Sequence, residues 1–176
     1  MAISVSNISA GTLDADTVSP AEFRNAMREV ASGVSIISSG RSGRARGLTA
    51  TAFASLSAEP PAVLVCVNRD SECHRTILET GAFCLNILKA EDEALAHRFA
   101  GRGGIRGHER FLEGNWMTLA TGSPVLSHAL VAFDCLLRES VASHTHMIFI
   151  GDVAAISSAG SGSALVYRAG AFSAIG

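Results

Sequence analysis

Residues 47–57, Gly-Leu-Thr-Ala-Thr-Ala-Phe-Ala-Ser-Leu-Ser, constrain the fold more than any other stretch. Small and hydroxyl-bearing side chains dominate them. As a strand they let a flat molecule lie against the backbone while Thr and Ser offer hydrogen bonds. Pro60 and Pro61 follow, then the apolar run 62–67 and the polar turn Asn68-Arg69-Asp70-Ser71. That turn ends a buried strand and opens a helix, whose first N–H groups lack partners and favour a phosphate. Together the two segments describe a pocket for a flat, phosphorylated cofactor.

The rest of the chain gives such a pocket a mainly β setting. A helix over 20–32 is announced by Ser19 and Glu22 as a capping box, with Pro20 at the first helical position and Gly33 as the stop. Phe23, Ala26, Met27, Val30 and Ala31 give it an apolar stripe. Strands are predicted over 34–38, 47–55, 62–67, 83–88, 130–140, 146–155 and 164–168, with short helices over 72–80 and 92–99. Within 131–137, alternation places Val131, Phe133, Cys135 and Leu137 on one face, with Asp134 and Arg138 on the other. Many strands without regular strand–helix alternation predict a β-barrel with a few short helices, not a doubly wound sheet. The expected organisation is a flexible N-terminal arm over 1–18 and one domain over 19–176.

Composition removes several function classes. The chain is 48% hydrophobic and 17% charged with a net charge of -2, which supports a packed core and gives no basic surface for nucleic acid or an anionic membrane. No signal peptide or membrane span is read at the N-terminus, so a cytoplasmic protein is expected. Cys66, Cys73, Cys84 and Cys135 lack metal-ligand spacing and read as free thiols in a reducing compartment. His144 and His146 share one face of a strand, yet no third ligand accompanies them, so no metal is expected. The glycine-rich run 101–107 follows a helix and lacks a Gly-Lys-Ser/Thr ending, which makes it a mobile surface loop and not a phosphate loop. Asn86 stands inside an apolar run. A buried amide is costly unless paired, so it either braces a neighbouring loop or faces a ligand.

A longer set of ordered landmarks carries a resemblance. It includes Phe23-Arg24-x-Ala26-Met27, Ser32-Gly33-Val34, Gly47-Leu48-Thr49-Ala50, Phe53, Ser55, Ser57 and Pro60-Pro61. It continues through Val67-Asn68-Arg69-x-Ser71, Phe83, Asn86-Ile87-Leu88, Arg98-Phe99, Trp116, Pro124-Val125-Leu126, His146, Gly151, Leu165 and Tyr167-Arg168-x-Gly170. With these the chain resembles the short-chain flavin reductases, the components that supply reduced flavin to two-component monooxygenases. The resemblance implies an FMN-binding split barrel of Greek-key type that forms a homodimer. It further implies oxidation of NADH or NADPH, FMN or FAD as the flavin, and a flavin-dependent monooxygenase as the recipient by diffusion.

By that resemblance Gly47, Leu48, Thr49, Ala50, Thr51, Ala52 and Ser55 run beside the isoalloxazine. Val67, Asn68, Ser71 and Cys73 belong to the ribityl-phosphate region, Asn86 sits near the flavin, and His146 lies near the nicotinamide as the catalytic positioning residue. Arg98, Phe99 and Tyr167 complete the cofactor-binding set. Three departures stand out: Thr51-Ala52 where the family often has Asn-Ser, Cys73 for a frequent Thr, and His144-Thr145-His146 where Gly-Asp-His is common. Two alternatives accompany this reading. One is a reductase that retains its flavin and serves a corrinoid or ferric iron; the other is a non-catalytic flavin- or heme-binding split-barrel protein.

Overall fold

A computed structural model describes residues 17–41 and 43–176. The expected arm therefore lies almost wholly outside the described residues. Among the described residues there are three α-helices, α1 (Pro20–Met27), α2 (Glu72–Thr80) and α3 (Glu93–Phe99), besides short 3-10 turns. Twelve strands accompany them: β1 (Ser32–Gly33), β2 (Ser35–Ser39), β3 (Arg46–Ala50), β4 (Phe53–Ala58), β5 (Pro61–Asn68), β6 (Ala82–Ile87), β7 (Trp116–Thr118), β8 (Pro124–Leu126), β9 (Val131–Ser143), β10 (His146–Ser158), β11 (Ala164–Arg168) and β12 (Ala171–Ile175). Seven strands form the main sheet in the order β3-β2-β6-β9-β10-β5-β4, and every pairing within it is antiparallel. A three-stranded sheet, β1-β11-β12, and the pair β7-β8 complete the architecture.

Strands β2 and β6 are buried on both faces. All five residues of β2 are buried, because Ile36 faces one apolar cluster with Leu88, Phe99 and Leu165 while Ile37 faces another with Val65, Ile77 and Phe149. Alternation along a strand sends neighbours to opposite sides, and here both sides are covered. Asp134 therefore does not face water: its carboxylate is fully buried and accepts from the main-chain N–H and the hydroxyl of Thr121. Gly151 is equally confined, since a Cβ there would stand 2.7 Å from the Phe83 ring and 2.8 Å from Cys135 Cβ.

The mainly β class is as expected, but no ladder joins β3 to β4, so the sheet is not closed into a barrel. The predicted strand 47–55 divides at Thr51-Ala52. Its first half pairs with β2 and its second with β5, at opposite edges of the sheet. The three Cα steps from Ala50 to Phe53 span at most about 11 Å, so the sheet curls until its edges come close at this corner. The Ala52 carbonyl fixes the corner by accepting from Cys66 N–H at 2.9 Å.

Helix α1 has the expected Ser19–Glu22 capping box but ends at Met27, shorter than predicted. None of its residues is buried; among the described residues, Phe23 and Met27 leave about half of their apolar surface exposed.

Candidate functional site

The corner between β3 and β4 opens on a cavity of about 520 Å³. Leu48, Thr49, Ala50, Thr51 and Ala52 form one side, Cys66, Asn68, Asp70, Ser71 and His146 another, and Phe99, Ala100 and Arg110 a third. Because β3 is a sheet edge, one row of its main-chain groups has no strand partner among the described residues. A second cavity, about 420 Å³, shares Leu48, Ser71 and Arg110 with the first and adds Arg46, Gly47, Glu72, Cys73, Arg106 and parts of the 101–107 loop. The two adjoining spaces make one groove.

Antiparallel pairing assembles the far side. In the register of β5 and β10, His146 stands directly opposite Asn68. His146 is exposed at the cavity rim, and its Nδ1 lies 2.9 Å from the Thr145 hydroxyl, leaving Nε2 for a ligand. Asn68 shapes the turn before α2: its Oδ1 accepts from Asp70 N–H at 2.8 Å, and its carbonyl accepts from the Ser71 hydroxyl at 2.7 Å. Ser71 then caps α2 by accepting from His74 N–H at 3.1 Å. The helix start thus faces the groove with its cap already set.

The glycine-rich segment builds the third side. Residues 101–107 do not stand off as a free surface loop; Gly101, Gly104, Ile105, Arg106 and Gly107 wall the second cavity. Arg110 ties that wall to the sheet: Nη1 donates to the carbonyls of Gly47 and Phe99 at 2.8 and 2.9 Å, and Nε to that of Ile105 at 3.1 Å. Burial lowers the pKa of its guanidinium, an effect opposed by the nearby carboxylate of Glu72. Gly47 allows the close approach of α3, because a Cβ there would meet Phe99 Cε1 at 2.7 Å.

Several sequence-derived site residues prove to hold the groove from behind. Asn86 is fully buried; its Oδ1 accepts from Leu126 N–H at 2.8 Å while Nδ2 donates to the Ile36 carbonyl and the Ser38 hydroxyl, both at 3.0 Å. Of its two possible roles, the structure shows the brace. Arg98 lines neither cavity. It grips the next segment through the carbonyls of Glu109 and Arg110 and the carboxylate of Glu113, so it positions Arg110. The Thr49 hydroxyl donates to the Ala96 carbonyl at 2.6 Å, which commits it to α3.

Burial pushes the Cys73 thiol up to about 12, and its Sγ lies 3.7 Å from the Ile37 and Arg46 carbonyls, so it is a neutral wall atom. Val67 is buried in β5, and Ser55 lies beyond the corner on β4, outside both cavities. Tyr167 belongs to the three-stranded sheet, opposite Ser32 and packed at 5.2 Å on Phe172, also outside them.

Arg46, Cys66, Asp70 and Glu72 line the groove without having been singled out from sequence. Arg46 directly precedes Gly47, and Asp70 and Glu72 flank Ser71, so adjacency to the picked residues was the available signal. Among the described residues no group of three or more His, Cys, Asp or Glu is placed to hold a metal, and no helix is long and apolar enough to cross a membrane.

A mainly β protein that presents an open strand edge beside a capped helix start and a half-buried arginine has a groove whose chemistry is compatible with a flat ligand with an anionic end. Comparison with known proteins gives that class its family. Residues 27–176 match the flavin reductase like domain. The chain is 40% identical over 154 residues to the FMN reductase (NADH) RutF 2 of Methylorubrum extorquens (strain PA1), across 88% of each protein. Among solved structures it is similar to BorF, the flavin reductase component of a bacterial two-component tryptophan halogenase, at 31% identity and a TM-score of 0.81, covering 89% of this chain and 98% of that one. Nitrilotriacetate monooxygenase component B from Mycobacterium thermoresistibile matches at 27% identity and a TM-score of 0.81, covering 89% and 86%. The chain belongs to the flavin reductase-like family.

Proposed function

We propose that this protein is an NAD(P)H:flavin oxidoreductase, one domain from residue 19 onward, that reduces FMN or FAD and releases it to a flavin-dependent monooxygenase. The groove at the β3–β4 corner is the observation that carries this reading. Its charged lining around the second cavity comprises Arg46, Arg106 and Arg110 against the carboxylate of Glu72, an excess of positive charge that fits a flavin phosphate. The unpaired edge of β3 fits the ring system, since main-chain N–H and C=O groups can meet its polar rim. The name of the Methylorubrum relative favours FMN and NADH.

When bound, flavin supplies the hydride-accepting ring, which is chemistry no side chain offers. The protein's part is placement. Leu48–Ala52 support one side of the ring, Ser71, the α2 start and Arg110 hold the phosphate, and Phe99 closes the site against water. His146, exposed at the rim opposite Asn68, positions the nicotinamide and contributes to the local field. Thr51, Ala52, Asn68, Asp70 and His146 are all exposed, so the groove opens to solvent. That suits a flavin that leaves after reduction, with micromolar affinity of about -8 kcal/mol.

A second copy of the chain belongs to the same proposal. Phe23 and Met27 on α1 and Leu136 and Ile156 on the sheet expose apolar surface that a homodimer would cover. The cytoplasm is the matching compartment, where nicotinamide is kept reduced and the four cysteines stay free.

Oxidation of NADH and NADPH by the purified protein, followed by the loss of their near-ultraviolet absorbance with and without FMN or FAD, tests the reading. Turnover that saturates at micromolar added flavin is expected. Turnover indifferent to added flavin would point to a retained flavin serving another acceptor, and no turnover at all would remove the enzyme reading.

A further inference from the structure

We propose that Glu72 is an internal competitor for the flavin phosphate: its carboxylate occupies the arginine side of the phosphate cavity and lowers the affinity of the groove for phosphorylated flavin. The inference rests on the flavin reading above and deepens it by assigning an affinity-setting residue.

Three observations place Glu72 in that role. It is the first residue of α2, directly after the cap Ser71, where the helix start favours an anion and a phosphate is expected. Its Oε2 lies 3.3 Å from Arg46 Nε, so it pairs with one of the three cations lining the cavity. The pair also points under the loop that walls this space, since a Cβ built on Gly107 would stand 3.7 Å from both Glu72 Oε2 and Arg46 Cζ. Among the described residues lining the second cavity, Glu72 is the single carboxylate.

The pair has somewhere to go. Arg46 and Glu72 both also line a neighbouring cavity of about 610 Å³ together with Arg41, Arg44 and Arg75, and the Glu72 side chain is 53% exposed. An arriving phosphate can therefore take over Arg46 while the carboxylate swings toward other guanidinium groups. Such an exchange is close to balanced, which keeps flavin exchangeable instead of trapped. A half-exposed pair of this kind changes affinity by about threefold to fivefold.

The test is fluorescence titration of FMN and of riboflavin, which lacks the phosphate, into the wild-type protein, E72Q, R46Q and the double variant at low ionic strength. E72Q is expected to lower the FMN Kd about threefold to fivefold and leave riboflavin unchanged, with the FMN gain shrinking in the R46Q background. Unchanged or weaker FMN binding in E72Q would overturn the proposal. So would an equal gain for both flavins, or a full FMN gain that persists without Arg46. Failure of the wild-type protein to bind either flavin would instead remove the flavin reading, and this inference with it.

Discussion

One side of the groove is made of strands and the other of the loop that follows α3, and the two are held in different ways. The strand side, β3 through β5 and β10, is fixed by main-chain ladders whose register places His146 against Asn68 and bends the chain at Thr51-Ala52. The loop side has no ladder. Arg98 and Arg110 hold it through side-chain bonds to main-chain carbonyls, reaching as far as 63 residues along the chain from Arg110 to Gly47. A ladder spreads its loss over many bonds, whereas a loop pinned by two arginines concentrates it. Single substitutions should therefore damage the loop side more.

Arg110→Gln is the strongest way to break that contrast. It removes the donors to Gly47, Phe99 and Ile105 and leaves buried carbonyls unpaired, for an expected loss of about 3 kcal/mol. Denaturant unfolding should show this, and FMN affinity should fall by more than riboflavin affinity. Unchanged stability would mean that the loop is held by its packing and not by the arginine. Gly47→Ala attacks the same junction from the strand side. The new Cβ collides with the Phe99 ring and should cost about 2 kcal/mol while displacing α3 from the groove. A neutral result would show that α3 yields easily.

Ser71→Ala is milder because it touches one helix end. Loss of the cap on His74 N–H should cost about 1 kcal/mol. FMN should bind more weakly and riboflavin nearly as before, because the α2 start faces the end of the groove proposed for the phosphate. A drop in stability with intact FMN affinity would move the phosphate away from this helix start.

The same contrast explains what the sequence disclosed. The longer strands, the α2 boundaries and the capping box of α1 depend on nearest neighbours and alternation, and these features were readable, whereas the short strands β7, β8 and β12 were not predicted. Residues Leu48–Ala52, Asn68 and Ser71 were placed together because short-range patterns put each at a strand edge or turn, whereas His146 joined them through the family resemblance alone. The split of 47–55 into two strands was hidden, since it depends on β2 and β5 being at opposite sides of the curled sheet. Asn86 was ambiguous for a related reason. An amide in an apolar run gives no sign of which partners wait for it, and here they are Leu126 and Ile36, at 40 and 50 residues' distance. The loop at 101–107 looked free because its anchors are arginines whose acceptors are main-chain carbonyls, and such acceptors leave no mark in a sequence. Tyr167 shows the opposite failure: a match to the family's landmarks did not bring it to the groove, because β11 pairs into the other sheet.

His146→Ala should have the smallest effect on the fold and isolates the chemistry. The side chain is exposed, and its visible bond is to the neighbouring Thr145 hydroxyl, so unfolding should be unchanged within error. Flavin affinity should also hold, because the proposed phosphate end of the groove lies with Ser71 and Arg110. The cost should fall on the nicotinamide: kcat/KM for NADH is expected to drop about tenfold, equivalent to about 1.4 kcal/mol of lost transition-state stabilisation. Steady-state kinetics at saturating FMN, paired with flavin titration, separates these effects. An equal loss of flavin affinity would place His146 on the flavin itself. The strand side would then hold the ligand through a side chain as the loop side does, and the distinction between the two would close.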